Sequence, residues 1–245
     1  MSDEQQEQQE QFTWQGLNKS TSEQTVPETA RSEGKLRLGV LISGSGTNLQ
    51  AIIDASAEGQ LPGVEIALVL SNHAQATGIQ RALKHRLPVI YLPWQKFPAD
   101  AFAQTMTPNE VQIAGLLQLF RVDLVVLAGW MRILSASFLE QFAHRVINIH
   151  PALLPREGIG DTYTLSNGEQ IPVFRGMHAA QMALDAGISI SGSSVHYVTP
   201  VVDAGPVICQ QEVAIQAGDT ADSLQERFKL VEHSLIVEAI RALSR

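Results

Sequence analysis

The chain has a single cysteine, Cys209, in 245 residues, which excludes an intramolecular disulfide framework. Cations are also scarce: 17 Lys and Arg stand against 25 Asp and Glu, a formal net charge of -8. Binding to a phosphate backbone needs clustered Lys and Arg, so nucleic acid is not expected as a partner. No apolar run approaches the roughly 20 residues that span a bilayer, and the N-terminus lacks the basic and apolar regions of a signal peptide. No membrane association is expected, and the expected location is cytoplasmic. The seven histidines are scattered without an H-x-x-x-H pair, and no metal site stands out. What the chain does have is 44% hydrophobic residues, enough for one or two cores at this length.

Those residues are unevenly spread. Residues 1–35 are polar, acidic and nearly free of aliphatic side chains, a composition that cannot offset the entropy of ordering. A disordered tail is expected there; Trp14 and Leu17 could form a small docking anchor, but two isolated apolar residues more often do nothing. From Leu36 onward, through residue 245, apolar runs alternate with helical patterns. LRLGVLI is followed by an amphipathic stretch from Asn48 to Ala57, VEIALVLS by a helix around Ile79–His85, and PVIYLP by PNEVQIAGLLQLF. VDLVVLAG and RVINIH come next. Short Val/Ile/Leu runs separated by helices specify βαβ units, hence an α/β fold with a mostly parallel sheet. In the C-terminal half, SGSSVHYVT and PVICQQEVAI read as further, antiparallel strands before a helix over Ser223–Leu243.

One segment interrupts the plan. Arg156–Val173 carries Asn167-Gly168 between two extended stretches, a strong hairpin signal, although Pro172 cannot donate to a ladder. Both ends of this segment flank candidate site residues. A lid over the site and a decoration without catalytic role are equally compatible with the pattern.

Three places could carry chemistry. SGSGTNLQ, Ser43–Gln50, joins the first strand to the first helix, where glycines admit a ligand and the helix N-terminus offers free N–H groups to an anion. An ordinary capped βα turn would look much the same. The spacing lacks the third glycine of G-x-G-x-x-G and the lysine of a P-loop, which disfavours a dinucleotide fold and a phosphotransferase. In INIHPALLP, Asn148 and His150 project from one face of a strand that Pro151 helps to end. Such a pair is more often structural than catalytic. Asp203, in TPVVDAGPVI, follows a strand carrying His196, which could be its hydrogen-bonded partner. Ligands of open α/β sheets bind beyond the carboxyl ends of the strands, and the glycine loop and the Asn-His pair both lie at such ends.

Taken together, LGVLISGSGTNLQAIIDA, LAGWMRILS, NIHPALLP, SSVHYVTPVVDAGPVI and the last helix with Glu232 resemble the phosphoribosylglycinamide formyltransferase family. That resemblance implies a Rossmann-like formyltransferase fold and transfer of a formyl group from 10-formyltetrahydrofolate to the amine of glycinamide ribonucleotide, a step of purine biosynthesis in one-carbon metabolism. It implies Asn148, His150 and Asp203 as the catalytic trio, with His196 behind them. Gly46, Thr47 and Asn48 would hold the substrate phosphate, and Met131, Arg132, Ile133 and Leu134 the folate. His178 and Glu232 would support the substrate. No metal is implied, and a monomer or homodimer is expected. The trio suits the chemistry: an amide and an imidazolium can stabilise charge on the formyl oxygen, and a carboxylate beside the imidazole favours its charged form.

The chain departs from the family pattern in places. WQKFPADAF offers Lys96 but no obvious equivalent of the Arg usual in that segment, Pro200 and Val201 stand where acidic or polar residues are common, and Arg175 takes the position of a proline. The Arg156–Val173 insertion separates LLP from the histidine stretch. Formyltetrahydrofolate deformylases share the trio but carry an N-terminal regulatory domain for which this tail is too short and polar. Methionyl-tRNA formyltransferases lack the S-G-x-G-T-N loop. A folate- or phosphate-binding homologue without turnover is the remaining alternative, and the intact trio argues against it.

Overall fold

The computed structural model describes residues 34–97 and 105–245. The expectation of a disordered tail, with Trp14 and Leu17, falls outside these residues except at its last two positions.

Five strands, β1 (Leu36–Ile42), β2 (Val64–Ser71), β3 (Val89–Tyr91), β4 (Leu124–Leu127) and β5 (Val146–His150), run parallel. Two more, β8 (Ile190–Tyr197) and β9 (Val207–Ala214), extend the sheet antiparallel beyond β5, giving the order β3-β2-β1-β4-β5-β8-β9. The sheet is therefore mostly parallel with antiparallel strands at its C-terminal side, as the alternation of elements implied. A separate two-stranded hairpin is formed by β6 (Thr162–Thr164) and β7 (Gln170–Pro172).

Period-2 alternation sorts the strand residues between two cores. Leu36, Leu38, Val40 and Ile42 pack with α1 (Thr47–Ala57) and α6 (Ala221–Leu243) on one face. Leu41, Leu68, Leu70, Val125 and Leu127 pack on the other, with α3 (Pro108–Leu119) and α4 (Ala136–Gln141). Helices cover both faces, which is why the strands read as near-continuous apolar runs. Gly39 leaves room for α3: a Cβ there would stand 2.5 Å from Leu117 Cδ2. Truncating a fully buried ring such as Phe138 or Phe228 would cost about 3–5 kcal/mol.

Helix boundaries follow local chemistry. α3 opens with a Thr107–Glu110 capping box and a proline in its first turn, and α6 with a Thr220–Ser223 box. The helices α2 (Thr77–Lys84), α4 and α5 (Ala179–Asp185) span 8, 6 and 7 residues. The last two are too short for a 3.6-residue pattern and were not legible in the sequence. Among the described residues no helix is long and apolar enough to cross a membrane.

Connections run from β1 to β2 and β3 on one side and to β4 and β5 on the other. This reversal opens a crevice at the carboxyl ends of the strands, the usual ligand position in such sheets.

Candidate active site

Three loops meet at that crevice. The first, after β1, leads into α1 at Gly46, whose φ of 67 places the helix start in the left-handed region. A side chain is excluded there, because a Cβ would lie 2.6 Å from Gly78 Cα. The close approach of α2 is held by Gly78 N–H donating to the Gly44 carbonyl at 3.1 Å, and Arg81 Nε donates to the Ser45 carbonyl at 2.9 Å. No side chain caps α1, so its first N–H groups, which have no intrahelical acceptor, face the crevice with the positive end of the helix dipole. Asn48, in the first turn, is buried and donates through Nδ2 to Glu232 Oε2 of α6 at 3.1 Å. Its Oδ1 is buried without a hydrogen-bond partner among the described residues. Burial pushes the Glu232 carboxyl up, against the Asn48 hydrogen bond and the charge of Lys229.

The second loop follows β4. It is stapled to the first by Ser43 N–H donating to the Gly129 carbonyl at 3.1 Å and Met131 N–H donating to Ser43 Oγ at 3.0 Å. Of its four candidate residues, Leu134 belongs to the core. Met131 and Ile133 are 59% and 74% exposed, a display of apolar surface that packing does not explain. Arg132 lies over the Trp94 ring at 5.7 Å, and Trp94 meets Trp130 edge-on at 5.8 Å. The buried Trp130 Nε1 has no hydrogen-bond partner among the described residues. Part of the neighbouring WQKFPADAF segment lies outside the described residues.

The third group sits at the end of β5. Asn148 pairs with His196 and His150 with Ser194 across the antiparallel β5–β8 ladder, so the polar side chains share one face. Asp203, on the connection from β8 to β9, reaches them all. Its Oδ2 lies 3.4 Å from His150 Nδ1, and its Oδ1 lies 3.4 Å from both His196 Nε2 and Asn148 Nδ2. Asn148 Nδ2 is also 3.2 Å from His196 Nε2. Gly176 N–H donates to Asp203 Oδ2 at 2.8 Å.

Backbone carbonyls fix which ring nitrogens carry protons. His150 Nε2 is 2.7 Å from the Phe174 carbonyl and His196 Nδ1 is 2.8 Å from the Tyr197 carbonyl. A carbonyl only accepts, so each of these nitrogens is an N–H. In His150 the exchangeable position is therefore Nδ1, facing Asp203. The His150 imidazole is 4% exposed, and burial lowers its proton affinity more than Asp203 and the Phe174 carbonyl raise it. The carboxylate does favour the charged form of the imidazole, but desolvation outweighs it. Asp203 moves the other way from burial alone: despite desolvation, hydrogen bonding to His196, the His150 charge and the Gly176 N–H hold it down at about 2. At neutral pH the pair is a carboxylate beside a neutral imidazole with a free lone pair at Nδ1.

Asn148, His150, His196 and Asp203 thus converge, and Gly46, Thr47, Asn48 and Glu232 form a second cluster. His178 stands apart. It is exposed, occupies the N-cap of α5 at φ 69, and among the described residues no hydrogen bond or ion pair ties it to the trio. The sequence reading missed the backbone partners, Phe174 carbonyl and Gly176 N–H, because any residue type can supply them. It noted Arg175 only as an oddity, although this side chain donates to the Asp203 carbonyl at 3.2 Å.

Comparison with known proteins bears on the family and the fold. A family model described as "Formyl transferase" matches residues 36–240. Phosphoribosylglycinamide formyltransferase of Escherichia coli (strain K12) is 37% identical over 196 residues, covering 80% of this chain and 81% of the relative. The trifunctional purine biosynthetic protein adenosine-3 of Bos taurus is 36% identical over 210 residues, and this chain spans 18% of its length. Among solved structures, glycinamide ribonucleotide transformylase 1 from Symbiobacterium toebii superposes with a TM-score of 0.71 at 38% identity, over 86% of this chain and 88% of that one.

Proposed function

Because the chain belongs to the formyl transferase family, we propose that it transfers a formyl group from 10-formyltetrahydrofolate to the amine of glycinamide ribonucleotide in purine biosynthesis. The observation that carries this reading is the placement of two different clusters on one sheet. An uncapped helix N-terminus follows β1, and the Asn148–His150–Asp203 cluster follows β5, with only β4 between them. Two strand spacings amount to roughly 10 Å, a span that a ribose phosphate with a short glycyl arm can bridge. The phosphate then meets the N–H groups of Gly46, Thr47 and Asn48, and the amine arrives at the trio. Glu232 and the unpartnered Asn48 Oδ1 are acceptors suited to the ribose hydroxyls between.

Met131 and Ile133 present an exposed apolar ledge, which suits one face of a flat heteroaromatic donor such as a folate. Arg132 offers a cation for an acidic group of that donor. This assigns Met131, Arg132 and Ile133 to contact and Leu134 to support.

In the transfer, a bond forms between the amine nitrogen and the formyl carbon, and the bond from that carbon to the folate nitrogen breaks. The amine loses one proton and the folate nitrogen gains one. Asn148 Nδ2 is the donor for the charge that develops on the formyl oxygen. Its present contacts of 3.2 and 3.4 Å are long enough to be exchanged for a better acceptor, as is common without substrate. His150 Nδ1 takes the amine proton and returns it to the leaving nitrogen, while Asp203 stabilises the imidazolium formed in between. His196 holds Asn148 and Asp203 in place.

The test is an assay of formyl-donor consumption with a 10-formyl folate analogue, with and without glycinamide ribonucleotide. Turnover that requires the ribonucleotide supports the transferase. Equal turnover without it would indicate a deformylase, and none in either case a binding protein.

A further inference from the structure

The Arg156–Val173 insertion and Arg175 hold the same loop. Asp203 has φ 49, a left-handed conformation that costs a non-glycine residue on the order of 1–3 kcal/mol and persists where the surroundings enforce it. Arg175 Nε donates to the Asp203 carbonyl at 3.2 Å. Its Nη2 donates to the Gly158 and Gly160 carbonyls at 3.1 and 2.7 Å. Its Nη1 lies 3.5 Å from the fully exposed Asp161 carboxylate, a contact worth little in water. The guanidinium fork thus bridges the catalytic loop and the first residues of the insertion.

Those first residues are pressed against the chain after Asp203. Gly158 and Gly160 have φ of 76 and 112, which other L residues rarely adopt. A Cβ on Gly158 would stand 2.3 Å from the Ala204 carbonyl oxygen and 2.6 Å from that of Gly205. Val207 N–H donates to the Arg156 carbonyl at 2.9 Å.

The hairpin tip lies elsewhere. Leu165 and Ile171 are buried against Leu153, and Ser166 donates to Glu212 of β9 through N–H and Oγ at 2.7 and 2.8 Å. Glu212 pairs with Gly192, well before His196 along β8. The root of the insertion touches the site while its tip is anchored on the edge strand.

We propose that Arg175 and residues 156–161 form a clamp on the backbone of Asp203, making Arg175 a positioning residue, while the hairpin tip is fastened to the edge strand and is no lid over the substrate. This rests on the reading that Asp203 serves the transfer. Arg175 also acts at a distance. The groups that bear on His150 are Asp203, which favours its protonation, and His196 and Arg175, which oppose it together with burial. Removing the cation therefore moves the acid limb of the pH–rate profile to higher pH; loosened packing would move it the same way, and Arg175→Lys, which keeps the charge, separates the two.

The experiment compares Arg175→Ala, Arg175→Lys, Asp203→Asn and a protein in which residues 163–171 are replaced by a short Gly-containing link, using the formyl-transfer assay. Arg175→Ala is expected to lose about 10- to 100-fold in kcat, the scale of a small misplacement of a catalytic group, with little change in the KM for ribonucleotide. Its acid limb should move up in pH. Arg175→Lys keeps the charge without the fork, so it should restore the limb but not kcat, and it decides the matter if the Ala variant does not fold. Excision of the tip should leave both constants close to those of the full chain. The clamp is overturned if the Arg175 variants keep normal kcat and profile while Asp203→Asn is inactive, or if excision shifts KM and kcat together as a lid requires. An active Asp203→Asn protein would remove the reading of the site itself.

Discussion

The glycine loop after β1 and the polar cluster after β5 are built in opposite ways. The first is made of backbone: an uncapped helix end, a glycine in the left-handed region, and a second glycine, Gly78, packed against it. The second is made of side chains drawn from far apart in the chain, with Asp203 joined to Asn148 across 55 residues. A backbone cradle suits an unreacting phosphate, which needs fixed dipoles and no proton movement. A side-chain cluster suits a reacting centre, because its members can change protonation. The difference divides binding from chemistry, and substitutions should fall into two kinetic classes.

The largest effects belong to the cluster. Asn148→Ala, His150→Ala and Asp203→Asn should each lower kcat by about 10²–10³ or more, the usual loss when one oxyanion donor or proton carrier is removed, while KM for the ribonucleotide changes little. Steady-state kinetics with both substrates varied would check this. A His150→Ala variant with near-normal turnover would break the division at its chemical end.

At the binding end, Thr47→Asp sets a carboxylate against the phosphate. Roughly 1 kcal/mol or more of repulsion at contact distance should raise the KM for ribonucleotide several-fold or more while kcat at saturation stays close to normal. A fall in kcat with unchanged KM would place Thr47 in the chemistry instead.

Acid should sharpen the contrast, since the two titrating groups of the pair both sit in the cluster. The folded-state proton affinity of His150 is below its ordinary value of 6.5, so the unfolded chain takes up that proton first and stability falls as pH drops through and below 6.5. Asp203, held at about 2 against an ordinary 3.8, contributes stability fully above 3.8 that disappears as pH falls toward 2. Thermal unfolding of the parent and of His150→Asn across this range should therefore converge on acidification through the first window. The second window should vanish in Asp203→Asn.

The smallest effect is expected at Arg132, an exposed cation 5.7 Å from the Trp94 ring. Arg132→Ala should weaken donor binding by about 0.2–1 kcal/mol, the range for an exposed ion pair with an acidic group. Titration followed by Trp fluorescence would measure it.

How much of this could be read from the sequence follows the same division. The parallel sheet, the helix starting beside Thr47 and the shared face of Asn148 and His150 depend on local periodicity and turn chemistry, and these were legible. The hairpin signal at Asn167-Gly168 was legible too, but its detail was not. Leu165 pairs with Glu169, and only Gly168, not Asn167, has positive φ, so the loop has three residues rather than two, and Gly168 closes it. The carboxylate beside His150 was legible but its burial was not, because charge neighbours can be guessed from motifs while burial is a property of the packed fold. The grip of Arg175 on Asp203 was invisible for a related reason: its acceptors are backbone carbonyls, which leave no trace in residue identity.

Calorimetric titration of glycinamide ribonucleotide into Asp203→Asn tests the separation of binding from chemistry most directly. Tight binding in a protein that no longer turns over is the expected result, with a Kd within about threefold of the parent, because the lost interactions act in the transition state rather than the bound complex. Loss of binding along with turnover in a folded protein would contradict it.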